Sequence, residues 1–544
     1  MAAVRGQYRH IPNALHKPGG RWWEIRGLVK LNFFISVVFV GQAFNGFDDG
    51  LIGSFQAYPS WHRALGYPSS SAIGLLNAAA YIAGLLTAPV AGYVADKWGR
   101  RWCVRYSAVA GLIATAIGAC AGIDDASGYA FFIVSRIIFG SGLAFCVVIS
   151  PILLQELPHP SQRVTIAGLF NTNYAVGNFI AAWLCFGCSY IKNDWSWRTV
   201  YIIQIIPALY LLLAIHFVPE SPRWLMSKGR EAEALDFLVK YHGDGNPNDE
   251  LVLFEFGEMK ETLQKERELR QDTWREIVSR PGNRHRLYIV LLIVSCQNLS
   301  GTAIIQYYYT HILKLVGMTD TQQVTGLNAG LTFWVWLAAI LGVYIVNRVK
   351  RRTLLLGAWS ALIVVNVAFT VTAAEYTRTG SAAAGRANIA LLWLYDGAFF
   401  VVCGPLCENT PCRHPVQQAD ALPLAVFSYQ AECLSYSMRA KGMMLWGMVN
   451  KLISIFNAYV NSIALDEIGW KYYLVYTCIL SIQLVGMYFL CVETSGLTLE
   501  EISAVFDGPA TAPPINAAPL EASVHEKKHD MPLPRAAKGD RIEK

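Results

Sequence analysis

The sequence predicts an all-α membrane protein: twelve transmembrane helices in two six-helix repeats, joined by a cytoplasmic helical linker. Three observations predict it. Apolar residues make up 54% of the chain and charged residues only 15%, against about 25% charged in a soluble domain. Apolar runs of roughly 20 residues recur along its length, each long enough to cross the hydrocarbon core. Short features of the first half also return in matching order in the second. Glu156 stands seven residues before Arg163, and Glu432 seven before Arg439. The last runs of the two halves end in Val218-Pro-Glu220-Ser221 and Val492-Glu493-Thr494.

Taken in order, residues 1–30 form a basic, aromatic segment suited to a cytoplasmic membrane surface. No cleaved leader is expected, because the first apolar run is long enough to stay as a span. Residues 31–218 make the N-terminal bundle, with spans expected at about 31–55, 71–94, 103–122, 130–153, 165–187 and 198–218. Residues 219–283, rich in Glu, Lys and Arg, are the helical linker. Residues 284–492 make the C-terminal bundle, with spans at about 287–312, 324–346, 353–374, 388–435 (interrupted), 442–465 and 471–492. The tail, 493–544, is polar, rich in Pro and Ala, and expected to be disordered.

Alternate connections carry the cations: Lys97, Arg100, Arg101 and Arg105; Arg163; Arg348, Lys350, Arg351 and Arg352; Arg439 and Lys441. The opposite loops hold Asp124, Asp125, Asp194, Asp466 and Glu467 instead. Both termini and the linker are therefore expected in the cytoplasm. The net charge of +6 is topological and not a nucleic-acid footprint. Most of the twelve cysteines lie in apolar runs, where they act as small apolar residues. No metal-ligand spacing and no nucleophile–base set stands out, so neither a metal, a cofactor nor an enzyme activity is expected.

One stretch breaks the pattern. Residues 407–424, CENTPCRHPVQQADALPL, put three prolines, charges and amides into the tenth span, where hydrocarbon cannot accommodate them. Joining the flanks restores one apolar run, AFFVVCGPL–AVFSYQAECLSYSMRAKG, so an unspliced intron in the gene model is expected.

Seven short motifs occur in order: NGFDDGLIGS (45–54), GYVADKWGRR (92–101), SRIIFGSG (135–142) with PILLQELPHPSQR (151–163), PESPRWL (219–225), QNLSG with Tyr307-Tyr308, YSMRAKG (436–442) and VETSGLTLEEI (492–502). On these the chain, over about 30–505, resembles a sugar porter of the major facilitator superfamily, and more narrowly fungal hexose and lactose-permease-like transporters. The resemblance implies a secondary active transporter working by alternating access, a sugar-like substrate, and a multi-pass monomer in the plasma membrane. It also implies a cytoplasmic charge network: Asp96, Arg100, Arg101, Glu156, Arg163, Glu220 and Arg223, with Arg348, Arg352, Glu432, Arg439 and Glu493 in the second half. That network locks the outward-facing state. Asp96 would sit against a neighbouring helix N-terminus and its partial positive charge.

Asp48 lies in the first span, where burial disfavours its charge and a nearby cation favours it. Arg136, costly at membrane depth without a partner, holds the family position for that cation, so the pair implies proton-coupled symport. Asp49 would face away on the helix. Amides and rings suit a polyol; the resemblance assigns this task to Asn171, Gln297, Asn298, Tyr307 and Tyr308, and Asn450 is a further candidate. Ala303 and Val335 replace asparagines usual in the family, and Phe427 replaces a tryptophan. Lys451 is a cation where the family shows a neutral residue. It should line the cavity or find an anionic partner, and it opens a second possibility, a specialised metabolite as cargo.

Overall fold

A computed structural model describes residues 22–123, 128–268, 274–346, 350–403, 433–434, 436–493 and 506. Among the described residues it is helical, without strands. Nine helical runs there are long and apolar enough to cross a membrane, and three of them, Trp195–Ala214, Pro281–Lys314 and Lys441–Leu490, each take in two helices. The outward faces carry the exposed apolar side chains Leu86, Val90, Ile206, Phe217, Val364, Ile482 and Phe489. An apolar belt of this extent is what lipid covers.

The first half comprises α1 (Arg26–Phe55), α2 (Pro59–Ala64), α3 (Ser70–Trp98), α4 (Arg100–Ala119), α5 (Gly128–Glu156), α6 (Arg163–Cys188), α7 (Trp195–Ile203) and α8 (Ile205–Ala214). The expected sixth span is thus two helices, α7 and α8, meeting at Gln204. Four linker helices follow: α9 (Pro222–Ser227), α10 (Glu231–Tyr241), α11 (Glu250–Glu268) and α12 (Trp274–Ser279). The second half holds α13 (Pro281–Asn298), α14 (Thr302–Leu315), α15 (Thr321–Val346), α16 (Arg351–Thr379), α17 (Ala382–Cys403), α18 (Tyr436–Ile468) and α19 (Tyr472–Leu490). The interrupted tenth span is described only as far as Cys403; residues 407–424 lie outside the described residues.

Each half packs its own apolar core, around Phe44, Phe139 and Leu211 in the first and Tyr309, Trp359 and Leu480 in the second. The halves meet through α1 on α14, α3 on α18 and α6 on α15. Close approach inside the first half depends on missing side chains. A Cβ on Gly46 would lie 1.9 Å from the Tyr174 carbonyl oxygen, and one on Gly177 equally close to that of Ala43. The helices α1 and α6 therefore touch backbone to backbone, as small residues permit in lipid.

The seventh span breaks between α13 and α14, where Gly301 takes φ +94°. Broken backbone at membrane depth persists only when its freed groups find partners or line a cavity. Here the Asn298 carbonyl accepts from Asn457 Nδ2 at 2.6 Å, and the Ser300 carbonyl accepts from the Tyr395 hydroxyl.

Candidate functional site

In the first half, Arg136 Nη1 on α5 donates to both oxygens of Asp48 on α1, at 2.8 and 2.6 Å. The side chains are 4% and 2% exposed. Gln204 Nε2, at the α7–α8 junction, donates to Asp48 Oδ1 at 3.0 Å, and the guanidinium lies 5.5 Å from the Phe139 ring centre. The site is charge-neutral and sealed from solvent, which is the arrangement a buried carboxylate requires. Gln204 is the only amide in the run 198–218, and that was the signal available for it. Asp49 does turn away from this pair, as helix geometry demands, and accepts from the Tyr174 hydroxyl on α6 at 2.9 Å.

In the second half, a cavity of about 130 Å³ is lined by Gln297, Asn298, Thr302, Gln306, Tyr307, Ser454 and Asn457, among others. Ala303 lines it too, so the residue replacing the usual asparagine leaves an apolar wall there. Gln297 Oε1 accepts from Trp446 Nε1 at 3.1 Å, while its Nε2 is buried without a hydrogen bond. Asn298 accepts from Ser454 Oγ at 3.3 Å. The Tyr307 hydroxyl meets that of Tyr81 across the interface. Tyr308, expected beside it, is turned elsewhere: its hydroxyl donates to the Ala458 carbonyl and accepts from Asn77 Nδ2. Successive residues on a helix point about 100° apart, and α14 kinks at Tyr308, so only one tyrosine of the pair faces the cavity. Asn450 lends its carbonyl to Ser454. Lys451 places Nζ 5.2 Å from the Tyr81 ring centre.

At the linker end, Arg100 holds Glu156 with two bonds, Nε to Oε2 at 3.1 Å and Nη2 to Oε1 at 3.0 Å. Asp96 is not the carboxylate at a helix N-terminus. Its side chain is 83% exposed, 3.5 Å from Arg100, because α3 continues through Trp98 and leaves it on the solvent face. Glu220 takes that place instead: it accepts from the backbone N–H groups of Arg100 and Arg101 at the start of α4, and from that of Ser221 beside it. Gly99, with φ +97°, makes the sharp entry, and a Cβ there would strike Glu220. Burial raises the Glu220 pKa, against the pull of those N–H groups. The second half repeats the device, with Glu493 accepting from the Arg352 N–H at the start of α16. Arg101 and Arg352 even share a gesture, donating to the carbonyls of His216 and Tyr488.

Arg163 does not join Glu156, which Arg100 occupies. It donates to Glu255 on α11 at 2.8 Å, and Glu255 also meets His242 Nδ1 at 2.5 Å. The linker is thus tied to the first half through a carboxylate the sequence gave no reason to single out. Arg223 also has partners here.

These features can be set beside known proteins. Residues 34–410 and 423–506 match the family described as "Sugar (and other) transporter". This chain belongs to that sugar transporter family. Hexose transporter HXT10 of Saccharomyces cerevisiae is 26% identical over 518 residues, covering 90% of this chain and 87% of the relative. A probable quinate permease of Neosartorya fischeri is 26% identical over 508 residues, covering 89% and 88%. In fold the chain is similar to the inward-open xylose transporter XylE from E. coli, with TM-score 0.69 at 19% identity over 87% of this chain and 99% of that one. The family is one of multi-pass membrane transporters, not enzymes.

For this sugar transporter, several expected site residues lie outside the described residues: Arg348, Phe427 and Glu432, and the side chains of Asn171 and Arg439. The family match resumes at residue 423, so its gap falls inside the 407–424 stretch.

Proposed function

We propose that this sugar transporter moves a sugar-like polyol together with protons by alternating access. The observations that carry this are the sealed Asp48–Arg136 pair in the first half and an amide-lined cavity in the second, whose Tyr307 reaches Tyr81 of the first half. Protonating Asp48 removes one charge of the pair and leaves Arg136 without its bonded carboxylate, beside the Phe139 ring and with Asp49 within electrostatic reach, so α1 and α5 gain a reason to shift. The neutral acid and the ionised pair are then two states whose balance follows the proton gradient.

Gln297 and Asn298 present amides to a ligand's hydroxyls, and Tyr307 offers a ring. Cross-half hydrogen bonds gather at the end away from the linker: Asn328 to Ser54, Thr321 to the Ala57 carbonyl, and Ser70 to Asp466. With the linker 219–283 and both termini in the cytoplasm, this is a state closed to the outside. The bundles 31–218 and 284–492 rock about that contact, in the plasma membrane and as a monomer. Residues 407–424 are removed before translation; transcripts that retain them would overturn that part.

The test is transport by purified Asp48→Asn protein in proteoliposomes. Equilibrium exchange of labelled sugar continues while accumulation driven by a pH gradient is lost. Accumulation equal to that of the unsubstituted chain rules the switch out. Lys451 favours one second reading, that the cargo is not a plain sugar.

A further inference from the structure

We infer that Lys451 is an anion-binding residue of the central site, and that the favoured cargo is a carboxylated polyol, such as a sugar acid, over a neutral hexose. This rests on the transport reading above and narrows it.

Charge bookkeeping at membrane depth points to it. Asp48 and Arg136 neutralise one another in a closed site. Asp396 is buried in α17 and does not line the cavity, which leaves Asp49 and Lys451, one on each half and within electrostatic reach of each other. They are not equally provided for. The Asp49 carboxylate accepts from the Tyr174 hydroxyl at 2.9 Å. The Lys451 ammonium, among the described residues, has neither an ion pair nor a hydrogen bond, only the face of Tyr81 at 5.2 Å. The open valence at the centre is therefore the cation's.

Its position ties it to the site. Tyr81, under the ammonium, meets Tyr307 hydroxyl to hydroxyl, and Tyr307 lines the cavity. Ser454, one turn along α18 from Lys451, lines the same cavity and holds Asn298. A ligand whose hydroxyls engage Gln297 and Asn298 is thus offered a cation at its margin. A neutral hexose would desolvate that ammonium with hydroxyl dipoles alone, which is costly. A carboxylate would meet it with a charge-assisted bond, the stronger kind.

The experiment uses the full chain in proteoliposomes, with D-glucose and D-glucuronate as a pair differing only at C6, and quinate as a cyclic acid. Counterflow competition is expected to favour at least one acid over glucose. In Lys451→Gln that acid-to-glucose preference falls about 10-fold, the scale of one lost charge-assisted contact, and Lys451→Arg retains it. Glucose exchange that neither acid inhibits overturns the inference and leaves sugar transport standing. A Lys451→Gln protein that weakens glucose and acid alike overturns it too, making Lys451 a latch toward Asp49. Exchange of none of the three sinks the transport reading as well.

Discussion

In the first half a carboxylate and a guanidinium close on each other at 2.6 Å, out of reach of water. In the second half the cation at comparable depth, Lys451, lies over a tyrosine ring, and Asp396 is buried with one oxygen lacking a hydrogen bond. The two bundles repeat the same scaffold down to the Glu220 and Glu493 carboxylates at helix starts. What differs is whether charge is spent inside the half or left available at its inner face. A matched pair contributes to one conformation and resists ligands. An unmatched charge contributes little to folding and is free for a ligand to answer. On the proposed mechanism, the duplication would separate the coupling task from the recognition task.

The sharpest way to break this contrast is to remove one cation from each half. Arg136→Leu strands the Asp48 carboxylate in a closed site and is expected to cost about 3–5 kcal/mol, the range for breaking a buried pair. Lys451→Leu forfeits a cation–π contact and an unbonded attraction to Asp49, and is expected to cost about 0.5–1 kcal/mol. Thermal unfolding of the two detergent-purified variants checks this. A Lys451→Leu protein as unstable as Arg136→Leu would show that both halves use their charges structurally.

The next test asks whether recognition belongs to the second half. Gln297→Ala and Asn298→Ala each remove hydrogen-bonding capacity at the cavity wall. A neutral hydrogen bond is worth about 0.5–1.5 kcal/mol, so apparent affinity in competition assays falls about 2–10-fold. The ratio of pH-driven accumulation to exchange stays fixed, because the Asp48 site is untouched. Loss of that ratio would mean the tasks are not separate.

A subtler comparison uses the two helix-start carboxylates. Glu220 accepts from three backbone N–H groups, and a Gln there offers a single acceptor oxygen. Glu220→Gln should lower stability by about 1–2 kcal/mol, and Glu493→Gln by an equal or smaller amount. Denaturation of the two variants side by side measures it. A larger loss at Glu493 would show that the second half depends more heavily on its repeat of the device.

Most of the scaffold was legible in the sequence because lipid imposes a length on each apolar run, and the runs fixed where helices lie. The Asp48–Arg136 meeting was legible because a buried charge needs an opposite one, and the resemblance put Arg136 at the position of that cation. Partner choice at the linker end was not. Arg163 had Glu156 seven residues away in sequence, yet Arg100 approaches that carboxylate from α4 and Glu255 comes from the linker. Polar helices packed on a bundle carry no periodic signal for which carboxylate turns inward. Asp96 and Tyr308 failed for a related reason: a motif names the residue types, and helix phase decides which way each one points. The sealed role of Gln204 depended on a helix junction that composition does not mark.

The smallest effect expected concerns the linker's hold on the first half. Burial alone would raise the Glu255 pKa, but His242 and Arg163 outweigh it and hold the carboxyl below its usual range. A depressed folded value means the contribution is fully present above the unfolded value, about 4.3, and is lost as pH falls through the folded one. Hydrogen exchange in α10 and α11 should therefore be steady, as far as Glu255 sets it, from neutral pH down to about 5 and quicken only in stronger acid, after correction for the intrinsic rate. Glu255→Gln should quicken it at pH 7 and erase the acid-dependent step. If exchange in the variant keeps that step, some other group ties the linker down, and the carboxylate that joins Arg163 to His242 is incidental to the gate.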